Sequence, residues 1–426
     1  MNKLITSTGL ALTLWSAVAL AESTSESMSV STAMSTAKTA ADIHESILVM
    51  DSHLDTPALL VRPDFDIMAR HDPLKDGSQV DYPRMQEGGL DGGFWVIFSR
   101  QGPVTPEGFQ ASRDTAILRT VAIHKMTAEH SDVFELATSP EDGPRIHAAG
   151  KRVVYLSIEN AYPLGEDISM LKTFYELGVR MVGPVHFANN QFGDSSTDPK
   201  GQQWQGLSPL GKELVAEANR LGMILDGSHA HDDLVRQMMD LSKTPIVLSH
   251  SGAKSIYDHP RNVPDDILLK LAETGGVIQM NAFSSYLTKL PDNPERTNAL
   301  ATLRAEAEDA GDMTPAQQAK FTARRLAINS QYPPALASFD EYMAHFLHVL
   351  KLIGPDHVGV SGDFDGGGGV EDMYDIAAFP YLTARLIEEG YSKSELEKIW
   401  GGNLLRLLSK ARDHASQFKT PNQESD

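Results

Sequence analysis

Short apolar runs recur along this chain, and several of them stop at a histidine or carboxylate of a kind that binds metal. Helical stretches such as 209–221, 264–273 and 392–408 separate the runs, and this alternation indicates a parallel sheet. The eight runs are 47–50, 94–98, 153–158, 179–185, 223–225, 246–248, 276–280 and 357–360. Eight strands favour an α/β fold of the closed (β/α)8 TIM-like barrel type, with the polar groups gathered at its mouth.

The ends of the chain differ in composition from its middle. Lys3, an apolar stretch at 10–20 and a small-residue cleavage site predict a signal peptide over 1–21, hence export, with the periplasm as the expected location. A flexible Ser/Thr-rich tether is expected over 22–41, the catalytic barrel domain over 42–415 and a polar tail over 416–426. The apolar stretch is short for a bilayer span and the chain has no cysteine, so no membrane anchor is expected.

Charge and one long insertion bear on possible partners. The formal net charge is −20, which argues against nucleic acid and anionic membranes as partners. Residues 290–339, after the seventh run, are rich in Ala, Arg, Glu and Gln. Such a long connection is expected to carry its own helices, either over the barrel mouth or as a surface decoration or subunit contact.

The first candidate metal ligands follow the first and third runs. His53 and Asp55 alternate directly after the first run, so both side chains can converge on one ion. Glu159 ends the third run, where a carboxylate is costly unless it is paired or binds a cation. It can bridge two metal ions, or it can form a salt bridge with Arg180 or Arg152.

Two further pairs of candidates leave a choice open. His229 and His250 each follow a serine at the end of a run, in equivalent positions on consecutive predicted strands. His231, two residues beyond His229, can replace it if the strand is longer by one step. Asp363 and Asp365 offer the same alternative after the eighth run, with glycines beyond them that permit a sharp turn.

The set of donors indicates the type of metal and the type of reaction. Imidazoles and carboxylates without a thiol suit zinc better than manganese or iron. Two ions that share a carboxylate can hold a hydroxide between them, and its natural reaction is hydrolysis. His186, after the fourth run, is either a third imidazole ligand or a hydrogen-bond donor to the substrate.

From about residue 47 to 408 the chain resembles the membrane dipeptidase family, also called the renal dipeptidase family, a group of di-zinc metallopeptidases on an α/β barrel. The motifs that carry the resemblance are DSHLDTP at 51, QVDYPRMQEGG at 79, GLSPLGKELVAEANRLGMILDGSH ending at 229, LSHSGAKSIYDHPRNVPDD at 248, VGVSGDFDG at 358 and GGNLLRLL at 401. By this resemblance His53 and Asp55 bind one Zn²⁺, His229 and His250 bind a second, and Glu159 bridges the two. The resemblance therefore selects His229 over His231.

The resemblance also implies roles for residues that do not bind metal. His186 donates to the oxyanion, and Asp363 contacts the metal-bound water and transfers its proton. Arg261 grips the terminal carboxylate of the substrate with its planar guanidinium, and Tyr286 lines the same pocket. The implied substrate is a dipeptide, L,L and in some cases L,D, and a homodimer is the implied assembly. From the sequence alone Arg261 is otherwise interpreted as a surface arginine.

The chain departs from the mammalian relatives at one place near the ligands. Asn160-Ala161-Tyr162 follows Glu159 where those relatives have Gly-Gly-His. This leaves the ligands in place but puts the substrate preference in question. Two other functions are considered: a different barrel amidohydrolase, such as an N-acyl amino acid deacylase or lactonase, and a non-catalytic protein that binds zinc or peptides.

Overall fold

Ten β-strands occur in the part of the chain that the computed structural model describes, residues 40–418 without 74 and 311–314. Every pairing between these strands is parallel. The strands are β1 Met50–Leu54, β2 Gly92–Phe98, β3 Phe134–Leu136, β4 Arg152–Glu159, β5 Val179–Val182, β6 Ile224–Leu225, β7 Val247–Ala253, β8 Asn262–Val263, β9 Val277–Asn281 and β10 Val358–Ser361.

Eight of the strands form the barrel. One sheet has the order β1-β2-β4-β5-β6 and the other has the order β10-β9-β7. Single parallel bridges join the two sheets, from Asp226 to Val247 on one side and from Leu54 to Phe364 on the other. At the second junction the Asp55 N–H donates to the Phe364 carbonyl over 3.1 Å. The predicted TIM-like barrel is thus confirmed, with each of the eight apolar runs at or beside one barrel strand.

The strands differ from the prediction in three respects. The short strands β3 and β8 pair with β4 and β7 outside the barrel path and were not predicted. His53 lies inside β1, which begins at Met50, and does not follow it as predicted. His250 lies in the middle of β7 and not at its end. Both strands continue through their polar residues because the barrel interior offers hydrogen-bond partners, such as the Ser249 carbonyl that accepts from Ser52 Oγ over 2.6 Å.

Fifteen α-helices are bounded within the described residues, and most of them connect successive strands. They are α1 Pro57–Leu60, α2 Tyr82–Glu87, α3 Pro106–Glu129, α4 Asp142–Ala148, α5 Met170–Glu176, α6 Pro209–Leu221, α7 Asp232–Leu241, α8 Asp265–Glu273, α9 Ser284–Leu287, α10 Pro294–Ala310, α11 Pro315–Gln331, α12 Phe339–Ile353, α13 Phe379–Glu388, α14 Lys393–Glu397 and α15 Asn403–Ser416. A π-helical turn, Lys398–Gly402, joins the last two.

Local sequence explains where the helices that flank the barrel begin and end. Ser208 caps α6 by accepting from the Gly211 N–H over 2.9 Å, and a proline follows at the first helical position. Gly222 ends the same helix in the left-handed conformation, with φ 82°. At α12, Ser338 and Glu341 form a reciprocal capping box. These signals fix the ends of both helices, and α6 coincides with the helical stretch predicted over 209–221.

A separate apolar cluster fills the amino-terminal end of the barrel. Seven barrel strands contribute to it, and α15 adds Leu404, Leu407 and Leu408. The strand members are Met50, Phe94, Val153, Tyr155, Met181, Ile224, Val247 and Val277. The larger apolar cluster packs between the strands and the surrounding helices. Because side chains close the amino-terminal end, a functional site in this barrel is expected at the carboxyl-terminal ends of the strands.

The insertion before β10 folds as the helices α10 and α11, as predicted. Arg296 Nη1 holds them together by donating to Asn329 Oδ1 over 2.8 Å and to the Tyr332 carbonyl over 2.9 Å. Leu326 of α11 lies against Gly77, in the segment between β1 and β2. The helical pair therefore contacts a connection at the mouth side of the barrel.

The predicted terminal segments lie largely outside the described residues. The signal peptide over 1–21 and most of the tether over 22–41 are in this group, as is most of the tail over 416–426. Residues 40–45 are helical, and Ala40 is buried whereas Ala41 is exposed, so the end of the predicted tether is part of a helix that packs on the domain through Ala40. Among the described residues, no helix has the length and apolar character needed to cross a bilayer.

Candidate metal centre

One carboxylate stands at the centre of the polar cluster in the barrel mouth. Glu159 is the last residue of β4, and His53 is the fourth residue of β1. His53 Nε2 lies 3.3 Å from Asp55 Oδ2 and 3.7 Å from Glu159 Oε2. Neither arginine considered for Glu159 pairs with it, since Arg180 Nε donates to a backbone carbonyl and Arg152 pairs with Asp91.

The other carboxylate oxygen of Glu159 faces two more imidazoles. Glu159 Oε1 lies 2.9 Å from His229 Nε2 and 3.3 Å from His250 Nε2. The two Nε2 atoms are 2.7 Å apart, so both rings point at the same position. His229 reaches this point from a turn after β6 with φ 66°, whereas His231 caps α7 and contacts Gln202. The structure thus brings His229 into the cluster and leaves His231 out of it.

His186 lies at the edge of the cluster, after β5. Its Nε2 is 3.7 Å from Glu159 Oε1, and its ring packs between Phe98 and Phe187, with centroid distances of 4.7 and 3.9 Å. Phe187 is about half exposed, so this side of the cluster opens to solvent. His186 is therefore close enough to touch either a metal ion or a bound substrate.

The two aspartates after β10 point in different directions. Asp363 belongs to a group with His53 and Asp55 in which the potential ligand atoms all lie within 4.8 Å of one another. Asp365 instead accepts from Thr56 Oγ1 over 2.7 Å and from the Gln79 N–H over 2.6 Å. Asp363 is therefore the aspartate of the pair that faces the cluster.

A glycine allows the loop after β10 to approach the cluster this closely. Asp363 has a left-handed backbone, with φ 52°. A Cβ atom at Gly366 would lie 2.1 Å from Asp55 Oδ2 and 2.5 Å from Asp363 Oδ1. No side chain fits in that space, so glycine is required there.

Arg261 is buried beside the cluster and is not the surface arginine that sequence alone suggests. It is 3% exposed, and its Nη2 donates to the His250 carbonyl over 2.9 Å. Its guanidinium carbon lies 5.4 Å from the centre of the Tyr286 ring. Burial raises the pKa of Tyr286 to about 12, so its hydroxyl stays protonated. The pair presents a fixed positive charge and a hydroxyl next to the clustered histidines.

The electrostatics of the cluster favour a bound cation. Burial raises the pKa of Glu159 to about 8. Burial lowers the pKa of His53, but Glu159 and Asp55 outweigh it and raise that pKa to about 10. Burial, together with the charge of Arg261, lowers the pKa of His186 to about 3. Without a cation, Glu159 would therefore keep its proton and His53 would carry a positive charge. A bound cation would replace those protons, which is the charge pattern of a metal site.

His229 and His250 have the protonation state that metal ligation requires. Burial holds the pKa of each ring well below its usual range, and the charge of Arg261 lowers both further. Both imidazoles are therefore neutral at physiological pH, and a neutral imidazole has one nitrogen free to bind metal. The donors, imidazole and carboxylate without thiol, fit divalent zinc.

Several residues that support the site were missed by the sequence analysis. Asp51 accepts from the His53 N–H over 2.9 Å and from the Gly362 N–H over 2.8 Å. Asn281 donates to Asp363 Oδ2 over 3.0 Å, and Asp226 accepts from Ser249 Oγ over 2.6 Å. Asp51 and Asp226 do lie inside recognised motifs, and Asn281 directly follows an apolar run, so proximity to a strand end is the signal that marks them.

The residues that replace Gly-Gly-His after Glu159 organise the neighbouring loops. Asn160 takes a left-handed backbone with φ 68°, which asparagine tolerates better than most residues. Its Oδ1 accepts from Asn190 Nδ2 over 2.9 Å, and the Tyr162 hydroxyl donates to the Pro103 carbonyl over 2.6 Å. This departure from the mammalian pattern therefore leaves the ligands in place and links the loops after β2, β4 and β5.

The barrel and its cluster of histidines and carboxylates define a metal-dependent hydrolase. A sequence profile described as "Membrane dipeptidase (Peptidase family M19)" matches residues 37–422. The dipeptidase tcpJ of Claviceps purpurea is 30% identical over 363 residues, which cover 84% of this chain and 75% of that protein. The chain belongs to the membrane dipeptidase family, and it is a metallo-dipeptidase.

Solved structures agree with this assignment. The probable dipeptidase PvdM from Pseudomonas aeruginosa is 31% identical, with a TM-score of 0.75 over 90% of this chain and 100% of that one. A metallopeptidase from Rhodobacter sphaeroides, solved with a phosphinate mimic of the dipeptide L-Ala-D-Ala, is 25% identical, with a TM-score of 0.67 over 86% of this chain and 99% of that one. Both are similar to this chain over nearly its whole described length.

Proposed function

We propose that this protein is an exported zinc dipeptidase that holds two Zn²⁺ ions, bridged by Glu159. The observation that carries this proposal is the orientation of the Glu159 carboxylate. Its Oε2 faces His53, 3.7 Å away, while its Oε1 faces His229 and His250 at 2.9 and 3.3 Å. A carboxylate whose two oxygens face different imidazoles has the geometry of a bridging ligand.

Each ion then has its own protein ligands. His53 and Asp55 would hold the first ion, His229 and His250 would hold the second, and Glu159 would be shared. When bound, the ions supply a water that ionises near neutral pH and a Lewis acid for the scissile carbonyl.

The remaining residues bind and orient the dipeptide. Arg261 takes the terminal carboxylate in a charge-assisted pair, with Tyr286 beside it, which places the peptide bond over the cluster. His186 donates a hydrogen bond from Nε2 to the oxyanion that develops at the carbonyl. Asp363, oriented by Asn281, takes the proton of the attacking water and passes it to the leaving amine. By this arrangement, Arg261 and Tyr286 would make a free terminal carboxylate a requirement of the substrate.

The proposal extends to substrate chirality, location and assembly. Cleavage of L,D as well as L,L dipeptides is supported by the Rhodobacter sphaeroides relative, which binds a mimic of L-Ala-D-Ala. A periplasmic location is supported by the signal-like sequence over 1–21. A homodimer is the assembly that the family resemblance supports.

The release of free amino acids from a panel of substrates tests the proposal. The panel pairs L,L with L,D dipeptides and adds N-acyl amino acids and lactones as competitors. Zinc-dependent release from dipeptides alone supports the dipeptidase. Amino acids released from the N-acyl amino acids, or acid formed by ring opening of the lactones, instead indicate a different barrel amidohydrolase. No turnover by protein that carries two zinc ions indicates a binding protein.

A further inference from the structure

We propose that Asp226 and Ser249 are positioning residues that fix the ring of His250 for its metal ion. Nothing in the ligand set itself requires them, and neither side chain touches the proposed substrate. The inference rests on the proposed function, because it concerns the second of the two Zn²⁺ sites.

A chain of buried hydrogen bonds runs from Asp226 to His250. Asp226 Oδ1 accepts from the backbone N–H groups of Ser228 and Ser249, each over 2.9 Å, and this fixes the orientation of the carboxylate. Asp226 Oδ2 lies 2.6 Å from Ser249 Oγ, which lies 2.8 Å from His250 Nδ1. The side chains are 5%, 0% and 1% exposed for Asp226, Ser249 and His250, so water does not compete for these bonds.

The direction of each hydrogen bond follows from what the groups can donate. The Asp226 carboxylate can only accept, so the Ser249 hydroxyl gives its proton to Asp226. The Ser249 oxygen is then left as an acceptor, and His250 Nδ1 must carry the proton that it accepts. With the proton on Nδ1, the neutral ring has its lone pair on Nε2, the atom that faces Glu159 and His229. The chain thus selects the tautomer of His250 that can bind metal at the cluster.

His229, the other histidine of the same site, is held differently. Its Nδ1 is buried without a hydrogen-bond partner among the described residues. Its backbone is fixed instead, since its carbonyl accepts from the Ser196 N–H over 2.8 Å. Of these two histidines, His250 is the one whose ring is supported, within the described part of the chain, by a side chain that reaches a carboxylate. Loss of that support is expected to weaken binding of the ion at His229 and His250 and to leave binding at His53 and Asp55 unchanged.

The variant Ser249→Ala tests the proposal by metal affinity, without any assay of turnover. Chelator-stripped protein is titrated with Zn²⁺ against a chromophoric chelator, which gives one dissociation constant for each ion. The dissociation constant for the ion at His229 and His250 is expected to rise about 10- to 100-fold, the usual loss of affinity when a supporting group is removed. The dissociation constant for the ion at His53 and Asp55 is expected to stay unchanged. Ser249→Cys, nearly isosteric but a weaker acceptor, is expected to give the same selective loss if the alanine variant does not fold.

Ser228→Ala is the matched control. Ser228 is equally buried and its Oγ accepts from the His250 backbone N–H over 2.9 Å, but it does not contact the ring. This variant is expected to keep both zinc constants, while stripped Ser249→Ala and Ser228→Ala melt at similar temperatures. The proposal is overturned if Ser249→Ala leaves the dissociation constant at His229 and His250 unchanged, or if it raises both zinc dissociation constants equally. Wild-type protein that binds no zinc would refute the proposed function itself.

Discussion

Replacing Arg261 by glutamine removes the positive charge that is proposed to hold the substrate carboxylate. The guanidinium donates from Nη2 to the His250 carbonyl, while its Nε is buried without a hydrogen-bond partner among the described residues. Glutamine keeps a donor for that carbonyl but cannot form a bidentate pair. Charge-assisted hydrogen bonds contribute about 1.5–3 kcal/mol each, so the loss of two is worth about 3–6 kcal/mol. That corresponds to a fall of roughly two to four orders of magnitude in kcat/KM.

The assay compares a dipeptide with the same dipeptide carrying a terminal amide. Wild-type enzyme is expected to have a kcat/KM for the free acid that is roughly two to four orders of magnitude above that for the amide. Arg261→Gln is expected to cleave the acid and the amide with nearly equal kcat/KM. Arg236→Gln serves as the control, because that arginine is partly exposed and pairs with Asp266 over 2.7 Å. An equal loss on the acid and the amide would refute the reasoning and leave Arg261 with a structural role only.

Three further substitutions test separate parts of the structure. Asp363→Asn can keep the hydrogen bond to Asn281 but removes the base. The value of kcat is therefore expected to fall by about 10²–10⁴-fold, while the metal content stays unchanged. Loss of metal together with activity would make Asp363 a metal ligand instead. His229→Gln is expected to lower the zinc content and His231→Gln to leave it unchanged; equal zinc contents would contradict the choice between them. Phe364→Ala removes a fully buried ring whose centre lies 5.6 Å from that of Phe379. The free energy of unfolding is expected to fall by about 3–5 kcal/mol, which is measured as a lower denaturation midpoint. An unchanged midpoint would mean that the surrounding side chains collapse into the cavity.

The barrel could be predicted from the sequence because its signals are local. Each barrel strand lies at a short apolar run, and a helix such as α6 is bounded by Ser208 and Gly222 within its own segment. The strand boundaries were harder to predict where polar residues continue a strand. His53 and His250 lie inside β1 and β7 because their neighbours find partners across the barrel interior, and no local pattern reveals those partners.

The residues that gather in the candidate site could be predicted from the sequence, but the residues that support them could not. His53, Asp55, Glu159, His229 and His250 stand in sequence motifs within or after strands, and the resemblance to a known family assigns each of them a ligand role. The supporting contacts join residues far apart in the chain, such as Asn281 with Asp363 and Asp226 with Ser249. Sequence spacing holds no information about such pairs until the strands are arranged, so these contacts required the structure.

The most direct test of the account follows metal binding and dipeptide cleavage together. Chelator-stripped protein is titrated with Zn²⁺ while bound metal and amino acid release are measured on the same samples, for wild type and for Glu159→Gln. Wild type is expected to bind two equivalents, with activity that appears as the second binds, whereas Glu159→Gln is expected to bind fewer and remain inactive. Full activity in stripped protein, or two tightly bound ions in Glu159→Gln, would contradict a metal pair bridged by Glu159.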